Sequence, residues 1–102
     1  MITIIKESKN IKLISNKIQE YYKHEANDSS SDIRKVTFDY IDSEIYYTPT
    51  GQELVNLVGK VDGNKIEILA HPKLLKTKLK KGLVITANII LGKNRLLLVS
   101  EI

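Results

Sequence analysis

The run IRKVTFDYIDSEIYY, residues 33–47, constrains the fold of this chain more than any other stretch, because its apolar alternation changes parity partway along. Val36, Phe38 and Tyr40 share one face of an extended strand, and beyond them Ile41, Ile45 and Tyr47 carry the apolar positions instead. Side chains alternate with period two, so a slip of one residue sends the buried set to the opposite face. A β-bulge or sharp bend near Tyr40 and Ile41 reconciles the two halves.

The remainder of the chain reads as two hairpins around one short helix. TPTG, 48–51, is a turn with Pro49 at its second position and Gly51 at its fourth. ELVNLVGKV, 53–61, and KIEILA, 65–70, flank Asp62-Gly63-Asn64, a hairpin signal. LVITANIIL, 83–91, and RLLLVSEI, 95–102, flank Gly92-Lys93-Asn94 in the same way. Between the hairpins lies HPKLLKTKLKKG, 71–82. Pro72 suits a first helical turn and Gly82 a C-terminal left-handed position. At about 100° per residue Leu74, Leu75 and Leu79 share a side and Lys73, Lys76 and Lys80 lie opposite, which predicts a short helix. Lys78 falls within the leucine arc, its stem on apolar surface and its amine in water.

At the N-terminal end, Ile2, Ile4 and Ile5 predict a short strand. Ile11, Ile14, Ile18, Tyr21 and Tyr22 then recur at helical spacing, predicting an amphipathic helix over 11–26 with Asn10 or Ser8 as cap. NDSSSD, 27–32, ends it as a polar loop.

With 102 residues, 42% hydrophobic and 27% charged, the chain is expected to form one domain, 1–102, with a strand and helix extension over 1–32 and the hairpins over 33–102. The charge of +4 is uneven: residues 1–50 carry seven cations and eight acids, residues 51–102 nine cations and four acids. Such asymmetry points to a polyanion or an acidic protein surface, and a plain solubilising role for the lysines explains it equally well. There is no cysteine, and the opening apolar run is too short for a signal or a span, so a cytoplasmic location away from membranes is expected.

Enzyme signatures are missing. His24 and His71 stand far apart in no ligand spacing, and the five glycines form no phosphate-binding pattern. Asp39, Asp42 and Glu44 read as the wet face of a strand rather than as ligands. No catalysis, metal or cofactor is expected.

Residues 33–102, as a long bent strand, a hairpin, a short helix and a closing hairpin, resemble the OB-fold. NLVGKVDGNKIEIL and LKKGLVITANIILGKNRLLLVSEI look like the closing half of small OB domains of the replication protein A and telomere-capping type, with Lys81, Gly82, Leu83, Val84 and Ile85 opening the fourth strand. The resemblance implies a mostly β, five-stranded barrel with one internal helix capping its base through Leu74, Leu75 and Leu79. The N-terminal strand and helix would be added to it, plugging one end. The alternative is a ferredoxin-like α+β domain, from the order strand, helix, strand, strand, helix, strand. Its RNA-binding variant would need an aromatic strand motif, which is absent.

The resemblance also implies a binding face over the second and third barrel strands, flanked by the loops joining strands one and two and strands four and five. That maps to Tyr46, Tyr47, Lys60, Lys65, Lys93 and Arg95, two aromatics among four cations, as stacking bases beside a basic groove requires. The expected function is non-catalytic binding of single-stranded nucleic acid, weakly or within a complex. The alternative is an accessory subunit of a replication, repair or transcription assembly, docking a protein partner through the helix stripe Ile11, Ile14, Ile18, Tyr21 and Tyr22.

Overall fold

In the computed structural model, which describes residues 2–5, 20–22 and 32–102, six strands form one sheet that closes on itself. They are β1 (Ile2–Ile5), β2 (Ile33–Tyr47), β3 (Glu53–Val61), β4 (Asn64–Ala70), β5 (Val84–Leu91) and β6 (Leu96–Leu98). β2 to β6 make a closed five-stranded barrel in the order β2-β3-β4-β6-β5, sealed by the β5–β2 pairing. All contacts are antiparallel except β4 with β6, which run parallel. This closed, mostly β arrangement is consistent with an OB-like barrel, and it sets aside the ferredoxin-like alternative.

β2 carries the closure. Its first half, Arg34 to Asp39, pairs with β5, and its second half pairs with β3. The register with β3 shifts between Tyr40 and Asp42, so the bulge falls where the apolar parity slips. Ahead of it Val36, Phe38 and Tyr40 point into the barrel. β1 pairs antiparallel with residues 33–36, an additional strand as expected.

The two turns are built from left-handed residues. Asp62 (φ 51°) and Gly63 (φ 80°) form the two-residue β3–β4 loop, which matches the mirror-image turn that strand twist favours. Gly51 (φ 84°) completes the TPTG turn, its N–H donating to the Thr48 carbonyl at 2.9 Å.

Two apolar clusters fill the fold. Inside the barrel lie Val36, Phe38, Tyr40, Leu57, Ile68, Ala70, Ile85, Ala87, Ile89 and Leu98. The second cluster joins Ile33, Leu54, Leu69, Ile90 and Leu97 with Tyr22. Each of those five strand residues has the opposite parity to the barrel-filling residues of its strand, so they lie on the outer side. Tyr22, which is fully buried, covers them.

Two expected elements differ. HPKLLKTKLKKG is not an α-helix: only Pro72–Leu74 forms a single 3₁₀ turn, and residues 75–83 run as irregular chain. Leu74, Leu75 and Leu79 still pack against the interior cluster, as the helix would have had them do. A helix here would have stacked Lys76 on Lys80, Lys73 on Lys76 and Lys78 on Lys81 at i+4 and i+3 with no acid between, which is unfavourable. Instead the backbone is satisfied elsewhere. Lys76 and Thr77 N–H donate to the Ile102 carbonyl, Ile102 N–H donates to Leu74, and Gly82 N–H donates to Tyr40. The last strand is also shorter than RLLLVSEI, because residues beyond Leu98 turn toward this loop. Of the expected helix over 11–26, only Glu20 to Tyr22 lie within the described residues, and Glu20 and Tyr21 are helical.

Candidate binding face

The outer face of β2, β3 and β4 is ordered by register into cross-strand rows. Tyr46 lies opposite Leu54, Glu44 opposite Asn56 opposite Leu69, Asp42 opposite Val58 opposite Glu67, and Asp39 opposite Lys60 opposite Lys65. The two ends of the face have different fates.

At one end, Leu54 and Leu69 are covered by Tyr22. Three ties hold the covering segment. Gln52, in the β2–β3 loop, donates Nε2–H to the Tyr21 carbonyl at 2.7 Å. The Tyr22 hydroxyl donates to the Leu98 carbonyl at 2.6 Å and accepts from His71 N–H at 2.9 Å. The Tyr21 ring stacks on His71, centroids 4.1 Å apart, and meets Tyr22 edge to face. The parallel β4–β6 ladder has two registered pairs, Ile68 with Leu96 and Leu69 with Leu97. Just past them, the Tyr22 hydroxyl stands between the next free backbone donor and acceptor. Burial pushes its ionisation well above the usual tyrosine value. His71 Nδ1 accepts from Lys73 N–H and caps the 3₁₀ turn, and burial, then the nearby Lys73 charge, lower its pKa.

Tyr22 is therefore core, not a surface offered to a partner, and Tyr21 is half-buried on His71. Ile11, Ile14 and Ile18, the rest of the expected protein-docking stripe, lie outside the described residues.

At the other end the face is open. Lys60 and Lys65, both exposed, are direct cross-strand partners, and like charges so placed repel. Lys65 Nζ lies 4.0 Å from Glu67 Oε1, and Glu67 accepts a 2.9 Å hydrogen bond from Asn56 Nδ2. The Tyr46–Arg95 pair belongs to the covered end instead: Tyr46, opposite Leu54, packs against the Tyr22 cluster, and the Arg95 guanidinium lies 4.5 Å from the centroid of its ring, so the β5–β6 loop reaches that end of β2. That loop, closed by Gly92 N–H donating to the Arg95 carbonyl at 2.7 Å, also carries exposed Lys93. An open cleft of about 460 Å³ runs beside it between Glu67, Asn94 and Arg95. Tyr47, on the opposite side of β2 from Tyr46, is 63% exposed, with its hydroxyl donating to Glu53 at 3.3 Å.

The structure thus brings together Tyr46 with Arg95 and Lys60 with Lys65, and leaves Lys93 and Tyr47 on flanking loop and strand end. Sequence reasoning missed three participants. Glu67 and Asn56 sit in the middle of the face, and Asn56, the one polar residue within the apolar run LVNLV, was the available signal. Gln52 was hidden because its partner is thirty-one residues away. Among the described residues, no group of three or more His, Asp or Glu side chains is placed to hold a metal ion, and no helix is long and apolar enough to cross a membrane. Comparison with protein-family models, curated proteins and solved structures gave no match to this chain.

Proposed function

We propose that the chain is a non-catalytic, OB-like component of nucleic-acid machinery that holds single-stranded nucleic acid weakly, along the outer face of β2, β3 and β4. The observation that carries this reading is that the same face holds Lys60 beside Lys65 at one end and Arg95 over Tyr46 toward the other. A phosphate seated between the two lysines relieves their repulsion, and the Arg95–Tyr46 stack offers a flat polar edge to a base.

The hold is weak for two reasons. Asp39, Asp42, Glu44 and Glu67 share the face with the lysines, so its field is mixed. Of the aromatics on or beside it, Tyr22, Tyr21 and Tyr46 are engaged within the chain, and exposed Tyr47 points to the other side of β2, so the face lacks the roughly 1–3 kcal/mol per base that a free stacking ring supplies. The same acids favour a second reading, an accessory subunit that docks a protein and leaves nucleic acid to its partners.

Fluorescence anisotropy of a labelled oligothymidylate separates the two. If Lys60, Lys65, Lys93 and Arg95 each meet a phosphate, log Kd changes with log salt with a slope of about 2.8 in magnitude, and Lys60→Glu with Lys65→Glu removes about half of it. Absence of any anisotropy change at low salt refutes direct binding and leaves the accessory reading.

A further inference from the structure

From Ile68 through Ser100 the chain contains no acid and seven cations, and four of these, Lys76, Lys78, Lys80 and Lys81, are exposed on the irregular loop between β4 and β5. The same loop walls a mostly apolar cleft of about 230 Å³, in which Leu79, Leu83, Val84, Ile85 and Ile102 are joined by Thr77 and Thr86. Val84 is 62% exposed and Leu83 36%, so two adjacent aliphatic side chains stand in water at the mouth of the cleft. At about 30 Å³ per water the opening takes seven or eight waters, room for one large apolar side chain.

We propose that this cleft, at the end of the barrel crossed by the lysine loop, docks an acidic peptide segment of a partner protein through one bulky apolar side chain. The apolar residue fills the space over Val84 and Leu79, and carboxylates on either side of it meet Lys78, Lys80 and Lys81. Of the nearby lysines only Lys76 has an ion pair among the described residues, to exposed Glu101 at 3.9 Å. Asp39, directly opposite Val84 across the β2–β5 ladder, lines a separate, more polar cleft with Asp62 and Lys60.

Charge alone would equally suit nucleic acid, and the walls decide against it. They hold no aromatic ring on which a base could stack. Mostly aliphatic walls beside a loop that carries exposed Lys78, Lys80 and Lys81 instead match a peptide that alternates acidic and apolar residues. The absence of a regular helix is part of the same arrangement, because the irregular chain packs Leu79 against the interior between exposed Lys78 and Lys80. The proposal does not rest on nucleic-acid binding at the β3–β4 face.

The test is a ¹⁵N–¹H correlation titration of the whole chain with a short synthetic peptide in which Glu and Asp flank Leu and Phe. Shifts are expected at residues 77–86 and 102. Val84→Glu, at an exposed position that the fold tolerates, is expected to weaken binding about tenfold or more. Lys78→Glu with Lys80→Glu and Lys81→Glu does the same, while Lys60→Glu with Lys65→Glu leaves affinity unchanged. No shifts at millimolar peptide, shifts centred elsewhere, or unchanged affinity in the two cleft variants overturns the proposal. So does an oligothymidylate that binds the same amides more tightly, or sedimentation showing a dimer that Val84→Glu dissociates.

Discussion

Replacing Tyr22 by Phe keeps the ring that covers Leu54, Leu69 and Leu97 and removes only the hydroxyl. That hydroxyl joins His71 N–H, at 2.9 Å, to the Leu98 carbonyl, at 2.6 Å, in a site with no solvent exposure. An unsatisfied buried donor or acceptor costs about 1–3 kcal/mol, and two arise here. They face one another across the gap left by the oxygen, so partial collapse recovers some of the loss. The expected destabilisation of Tyr22→Phe is about 2 kcal/mol, and that of Tyr22→Ala, which also empties the outer cluster, about 3–5 kcal/mol. Urea unfolding followed by far-ultraviolet circular dichroism measures both. With a slope of about 1–3 kcal/mol/M, the Phe variant moves its midpoint by about 1 M, and its Tm falls by roughly 10 °C. An alkaline experiment checks the cause. An unfolded tyrosine ionises near pH 10, whereas the buried one holds its proton to higher pH. Its contribution is therefore complete below pH 10 and declines above it by about 1.4 kcal/mol per pH unit until the folded hydroxyl ionises. The difference between the parent and Tyr22→Phe should shrink over that range. A Phe variant within about 0.5 kcal/mol of the parent at neutral pH would refute the idea that this hydroxyl ties the N-terminal segment to the barrel.

Gly59 faces the barrel interior, where an added Cβ would stand 2.7 Å from the Asp39 carbonyl oxygen and closer still to the Phe38 ring. Gly59→Ala is expected to cost about 1–3 kcal/mol in chemical denaturation, with part recovered in the double variant carrying Phe38→Leu. His71 is held neutral by burial and by Lys73, so its contribution is present above pH 6.5 and lost as pH falls through its lower folded value. An NMR titration should give a midpoint below 6.5, with the Tyr21 ring signals moving in step as the stacked imidazole gains charge. Arg95→Ala removes the cation over Tyr46 and should lower stability by about 0.5–1 kcal/mol, read from the thermal midpoint.

Strand content was legible because it depends on local signals. The Asp62-Gly63 turn and the parity slip at Tyr40 and Ile41 each carry their own stereochemical cause, and both stand where the chain announces them. The lysine loop was misread because three leucines at helical spacing are compatible with any chain that turns them toward the core. Over twelve residues periodicity cannot outweigh repulsion among lysines and backbone donors already claimed by Tyr40 and Ile102. Tyr22 shows another limit. Its place on an amphipathic stripe said that it would be covered, but its partners at His71 and Leu98 lie forty-nine and seventy-six residues away, and only closure of the barrel brings them together. For the candidate face, the cations were visible as residue types. Their row-by-row mixing with Asp42, Glu44 and Glu67 is a property of register.

The most direct measurement is a ¹⁵N–¹H correlation map of the chain titrated with an oligothymidylate at low salt. Binding along the face shifts the amides of Lys60, Lys65, Lys93 and Arg95, and leaves those of the lysine loop in place. Shifts concentrated at residues 77–86, or no shifts at all, would contradict it.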